Sequence, residues 1–369
     1  MKIVYAGIRK DQYDENRRGF TFEYNNFYLT LKGMAGVEVI EYPFDSIMRV
    51  GRRRFNDDLL ALAAREKPDL VFVFPYTDEF ENRTLDELKK RTTTLAWFAD
   101  DHWRLWNYSR FLAPHFSKVV TTWSEAPREY ARYGITNIIR SQWACNPRIW
   151  HPVAVPDKDI AVSFIGQRNS ARARIVEELR NAGIEVWVRG WGWPEGRLSE
   201  EEMIESISRS KVCLNFNNPP DRWRAKLLAR LFFRRSGTRI VPDVLRFPSN
   251  VRSWLNMAIP QIKARPFELA GCGAFVISGY ADDLDQYYEE GKEMAFYRTI
   301  PELIEKIRHY LVQTQERESI ARAGYERTLR DHTYEARFRN IFKKIGVSDG
   351  SRLIPLEAST SNGTYPPLT

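Results

Sequence analysis

Short segments that are apolar on both faces alternate with helical segments along most of this chain, and few folds accommodate that pattern. KIVYAG (2–7), VEVIEYPF (37–44), DLVFVFPY (69–76), TLAWFAD (94–100) and KVVTTW (118–123) are such segments. FNDDLLALAAREKPD and TLDELKKR between them have helical periodicity. A strand with no polar face must be covered on both sides, as in a parallel sheet between helical layers. The alternation stops from 137 to 156, where WACNPRIWHPVAVPD carries three prolines. It resumes with DIAVSFIG (159–166), NSARARIVEELRNAG with an Asn or Ser N-cap and a Gly stop, IEVWVRG, SEEEMIESISRSK and VCLNFN (212–217). The expected architecture is α/β: two Rossmann-like parallel-sheet domains, 1–150 and 151–347, facing across a cleft at the C-terminal strand ends. A polar tail, 348–369, follows. A length of 369 residues suits two such cores.

The net charge of +8 is localised. Residues 219–265 hold eleven Lys and Arg against two acids, Asp221 and Asp243, which leaves 45 cations and 46 acids elsewhere, or −1. This marks 219–262 as a basic insertion in the second domain with a local anionic partner. Its first part, DRWRAKLLARLFFRR (Asp221 to Arg235), reads as a helix with Trp223, Leu227, Leu228, Leu231 and Phe232 on one face. Arg222, Lys226, Arg230 and Arg234 lie mostly outside that face. An amphipathic helix drawn to an anionic membrane surface fits this composition; so does a helix packed on its own domain with solvated arginines. No nucleic-acid module accompanies the patch, so nucleic acid is not an expected partner. No run approaches the roughly 18 apolar residues of a membrane span, and MKIVYAGIRKDQ lacks the form of a signal peptide. Cys145, Cys213 and Cys272 are too far apart for a disulfide framework or a zinc site. The chain is expected to be cytoplasmic, peripheral on the inner face of the membrane if the basic segment docks there.

ARPFELAGCGAFVIS (264–278), EEGKEMAFYRTIPELIEKIRHYL and ARAGYERTLRDHTYEARF, in that order, resemble the C-terminal domain of GT-B glycosyltransferases. The likeness is greatest to the spore-maturation (CgeB-like) group of family-4-type enzymes. VSFIGQRNSARARIVEELRNAGIEVWVRGWG is similar to the start of that domain, and NPRIWHP to the hinge before it. The resemblance covers about 146–345. It implies that Glu268 binds the ribose hydroxyls of a nucleotide-sugar donor while Arg265 and Lys263 face the diphosphate. A carboxylate can accept from two hydroxyls, and Arg pairs with phosphate oxygens through two N–H groups. The bland alternative is an Arg265–Glu268 structural ion pair. The resemblance also places donor phosphates near Gly166. Gly190, Trp191 and Gly192 could line a base pocket, or simply pack as a loop. Asn215 and Asn217 either contact the donor or terminate their strand. Many retaining relatives carry a second glutamate eight positions before the first; here that position is Pro260.

In the first domain WFADDHW places Asp100, Asp101 and His102 just past a strand end, and only one of two adjacent acids can face a site there. Asp100, then His102, then Glu125 in TTWSEAPREY are the candidates for deprotonating an acceptor hydroxyl. A helix cap at Asp101 is the plain alternative. The DLD run (283–285) has metal-ligand spacing but lies in a polar stretch that reads as a solvated helix. No metal and no cofactor is expected, the nucleotide sugar being a substrate and the leaving diphosphate being held by cations. The sequence thus points to transfer of a sugar onto a hydroxyl of a cell-envelope glycan or glycolipid. A non-catalytic carbohydrate-binding or membrane-scaffold protein on the same fold is the competing reading.

Overall fold

The computed structural model describes residues 1–14, 19–217 and 223–347; the tail from 348, together with Asp221 and Arg222 of the basic segment, lies outside them. Six parallel strands form the first sheet: β1 (Lys2–Gly7), β2 (Glu38–Pro43), β3 (Leu70–Val73), β4 (Thr93–Phe98), β5 (Lys118–Thr121) and β6 (Ile138–Arg140), in the order β2-β1-β3-β4-β5-β6. The central strands are buried on both faces, as their unbroken apolar character requires. β6 falls inside the stretch expected to be irregular. With three residues it is too short to show a period, yet it pairs with β5 from Val119↔Ile138 to Thr121↔Arg140.

The second parallel sheet contains β7 (Ile160–Ile165), β8 (Trp187–Arg189) and β9 (Ser210–Asn215). After a hairpin of β10 (Phe233–Ser236) and β11 (Arg239–Pro242), it is completed by β12 (Val276–Gly279) and β13 (Ala295–Tyr297), in the order β13-β12-β9-β7-β8. The expected helix caps form: the Asn169 side chain accepts from the Arg172 amide, and Ser199 with Glu202 makes a reciprocal capping box. Both sheets reverse their winding beside their first strand, between β1 and β3 and between β7 and β9, which are the positions where such folds bind ligands.

The domains share apolar packing. The last helix, Tyr334–Ile345, lies against the first sheet, where Phe338 meets Phe27, Phe72 and Trp97 at ring-centroid distances of 5.3–6.5 Å. Main-chain bonds from Cys145 N to His332 O and from Tyr334 N to Cys145 O fasten the interdomain link beside it.

The basic segment departs from expectation. In place of one helix there is a four-residue turn of helix at Ala225–Leu228, a 3-10 turn, the β10–β11 hairpin and a second helix, Phe247–Asn256. The reason is local: Ser236↔Arg239 pairing leaves Gly237 and Thr238 as a two-residue loop, and Gly237 has φ 55°, which glycine adopts without strain. This segment packs on the first domain. Arg234 pairs with Asp78 at 3.0 Å, the Gly237 amide donates to Thr77 Oγ1, and Arg252 pairs with the buried Glu129 at 3.0 Å. The DLD run is a 3-10 turn at Leu284–Gln286 and also contacts the first domain: Asp283 pairs with Arg140 at 2.9 Å, and Asp282 accepts from the Ser124 hydroxyl.

Candidate active site

At the switch point of the second sheet, β7 ends at Ile165, just before Gly166, and β9 continues into Phe216 and Asn217. The loop after β8 folds over Gly166: the Gly166 amide donates to Arg189 O, Arg168 N to Trp191 O, and Trp193 Nε1 to Gly166 O at 3.0 Å. Gly190 sits at φ 135°, and a Cβ there would lie 2.3 Å from the Gly166 carbonyl oxygen. No side chain fits. Gly190→Ala should therefore cost about 3 kcal/mol of stability in urea unfolding. Gly183→Ala, at φ 79° with open space around it, should cost about 1 kcal/mol. Equal losses in the two variants would show that the Gly190–Gly166 contact does not matter.

Trp191 is 66% exposed, whereas Trp193 is buried against Phe164. The aromatic packed under this loop is thus not the one singled out from the sequence. Asn215 and Asn217 spend their amide groups on the sheet: Asn215 Nδ2 donates to Ser278 Oγ and Asn217 Oδ1, and Asn217 Nδ2 to Gly279 O at 2.7 Å. They tie β9 to β12.

Two guanidinium groups gather near this switch point. Arg265 begins the helix Arg265–Gly271 and lies over the Trp150 ring at 5.1 Å. Its Nη1 is 3.1 Å from Glu268 Oε2 but makes no aligned hydrogen bond. Arg172, which no sequence spacing distinguishes from its exposed helical neighbours, donates to Gln167 O and Phe216 O. Its Nε is buried without a partner. Burial and the nearby Arg265 lower the Arg172 pKa from its usual value. Two cations that repel one another, with N–H groups left over, make a site suited to a polyanion. Glu268 is buried beside Arg265, and burial raises its carboxyl, against the pull of Arg265. Ion pair and ribose ligand are both compatible with this placement.

Across the cleft, Asp100 caps the short helix Asp101–Arg104 from a left-handed conformation, φ 58°. Its carboxylate accepts from Lys263 Nζ at 2.7 Å, an ion pair between the domains. Burial disfavours that charge, but Lys263, with His102 and Arg104, holds the carboxyl well below the usual carboxylate range. Asp101 points inward and accepts from Ser109 and Tyr130, and burial raises it to about 7. The two acids thus diverge, and neither makes a side-chain cap. His102 is buried, its Nδ1 has no partner, and burial lowers its pKa to about 3. Glu125 is half-exposed and pairs with Arg128 at 2.5 Å.

The sequence reading missed one acid. Glu23 precedes the helical segment Tyr24–Tyr28, beyond the end of β1; its own carbonyl accepts from Tyr5 OH, and neighbouring Thr21 bonds Ile8 O. Two residues on, Asn25 reaches Glu200 of the second domain at 3.2 Å. Burial pushes the Glu23 carboxyl up to about 7, against hydrogen bonds that lower it. Nothing in the local sequence signals this, because the partial burial of Glu23 comes from the fold. Beside the same strand ends Tyr13, Arg52, Thr77, Asp78 and Ser236 line an open recess of about 190 Å³ under the hairpin.

Residues 233–343 match a family model described as glycosyl transferase-like. Among solved structures, sucrose-phosphate synthase from Thermosynechococcus elongatus is similar at 11% identity and TM-score 0.57, over 94% of this chain and 99% of that one. HepE of Anabaena in complex with UDP-glucose follows at 10% identity and TM-score 0.56, over 94% and 100%. The lipopolysaccharide outer core galactosyltransferase WaaB gives 12% and 0.53, over 93% and 100%. No curated protein matches the sequence. These likenesses establish a GT-B fold.

Proposed function

From the premise of a GT-B fold whose residues 233–343 match a glycosyl transferase-like family, we propose that this protein transfers a hexose from a nucleotide sugar to an acceptor hydroxyl. The acceptor class that fits is a cell-envelope glycan or glycolipid. The observation that carries the reading is the Arg172–Arg265 pair at the switch point of the second sheet, with unused N–H groups and a buried carboxylate alongside. In this reading Arg172, Arg265 and, after release from Asp100, Lys263 hold the diphosphate, while Glu268 accepts from the ribose. Charge grows on the leaving diphosphate as the glycosidic bond breaks, and fixed cations stabilise it without a metal. Asp100 positions Lys263, and His102, kept neutral, offers a ring nitrogen to a sugar hydroxyl. We assign the proton acceptor to Glu23, which lies beyond the end of β1 and two residues before the Asn25–Glu200 contact between the domains; its carboxyl, raised toward neutrality, accepts a proton better than one locked to a lysine. The acceptor would lie over the recess at Thr77 and Asp78.

Transfer and donor hydrolysis across a panel of nucleotide sugars test the function directly; absence of both with every donor, despite donor binding, would favour the non-catalytic binding protein. Glu268→Ala is expected to weaken donor binding by about 1–3 kcal/mol in calorimetry, the cost of unpaired hydrogen-bonding groups. Unchanged donor affinity with a lowered melting temperature would make Glu268 only the structural partner of Arg265.

A further inference from the structure

We propose that the β10–β11 hairpin and the turn after it form a membrane-docking surface selective for anionic lipid. Arg234 and Ser236 of β10 face the first domain, where both bind Asp78. Side chains alternate along a strand, so Phe233 points away from that contact, and cross-strand pairing puts Pro242 and Ile240 on the same face. Arg235 starts on that face but bends back to the first domain, donating to Tyr76 OH at 3.0 Å, so the outward side chains are the apolar ones. The outer side chains are apolar and open to solvent: Phe233 is 45% exposed, Ile240 77%, Val244 59% and Leu245 97%. Single exposed apolar residues are ordinary, but four within thirteen positions on one projection mark an interaction site.

Charge identifies the partner. Across 223–256 the cations are Arg224, Lys226, Arg230, Arg234, Arg235, Arg239, Arg246 and Arg252, and the single acid is Asp243. Arg224, Lys226, Arg239 and Arg246 are exposed, Arg239 and Arg246 next in sequence to Ile240 and Leu245. Exposed apolar side chains in a segment with eight cations and one acid match the interface of an anionic bilayer, where the apolar tip reaches the acyl boundary and the cations meet headgroups. The surface is not the helix that the composition of 221–235 suggests; it is a hairpin and turn, with residues 239–246 contributing most of it. Among the described residues no helix is long and apolar enough to cross a membrane, so this contact is peripheral. The inference deepens the transfer reading and rests on it in one respect: the hairpin adjoins the recess at Thr77 and Asp78, so a lipid-anchored acceptor would meet the site from the bilayer.

Vesicle flotation of the full chain tests docking without reference to activity. Vesicles of phosphatidylglycerol and phosphatidylcholine should carry the protein at low salt and release it at high salt, and pure phosphatidylcholine should carry little. Ile240→Ser with Leu245→Ser should weaken binding at least about tenfold. Arg224→Gln with Lys226→Gln should weaken it by about fivefold per cation. Transfer to a soluble acceptor, measured separately, should survive both double variants, so a failed docking surface and a failed transferase reading give different results. The proposal is overturned if the protein ignores anionic vesicles at low salt. It is overturned equally if the serine variant floats like the parent, which would reveal general adsorption of a basic protein. Binding to a soluble acidic polysaccharide without flotation would assign the arginines to a glycan instead.

Discussion

Glu23→Gln is expected to lower sugar transfer by about 10²–10⁴, the range for loss of a general base. The pH profile carries the sharper test. A base acts only when deprotonated, so the rate of the parent enzyme should rise with pH through about 7, the value to which burial pushes Glu23. The variant should lose that limb while keeping its donor affinity. Asp100→Asn, by contrast, should cost no more than about tenfold: a carboxylate held low by Lys263 is a weak base, and its loss acts only through the position of that lysine. The product anomer, read by NMR, should be inverted. An acid limb unchanged in Glu23→Gln, or a product with retained configuration, removes Glu23 from the proton transfer.

Arg265→Ala should lower kcat by about 10²–10³, as removal of one preorganised donor to a developing charge does elsewhere. Donor affinity should fall less, because the interaction strengthens toward the transition state. Removing this cation also leaves Glu268 buried without its partner, which by itself destabilises. The Arg265→Ala/Glu268→Gln double variant separates the two effects: it should recover stability but not turnover. Arg172→Ala acts at the same site, so its loss and that of Arg265 should combine non-additively. Equal losses in affinity and turnover for Arg265→Ala would reduce it to a ground-state contact.

The central strands were legible because burial on both faces leaves a continuous apolar run, as in DLVFVFPY and VSFIG. β6 and the hairpin were not, since three or four residues show no period, and helical spacing from Trp223 to Phe232 concealed the glycine turn at 237–238. Glu268 and Arg265 stood out because an acid just after two cations, on an otherwise apolar helix, needs an explanation from its chemistry alone. Arg172 did not, because an arginine early in a charged helix looks solvated until the strand crossing buries it. Asp100 and Asp101 could be told to diverge, but which partner each would find depended on Lys263, Ser109 and Tyr130, all distant or on other elements.

The hairpin and the helix behind it leave the second sheet after β9 and return before β12, yet they are bolted to the first domain through Asp78, Thr77 and Glu129. The last helix makes the same crossing onto the first domain through Phe338. With the link near Cys145 as a further tether, the two lobes behave as a mechanism constrained at several separated joints. Such a linkage loses most of its rotational freedom. Wide clamshell opening would tear the ion pair of Arg252 with buried Glu129, a cost that favours a shallow sliding of one lobe over the other.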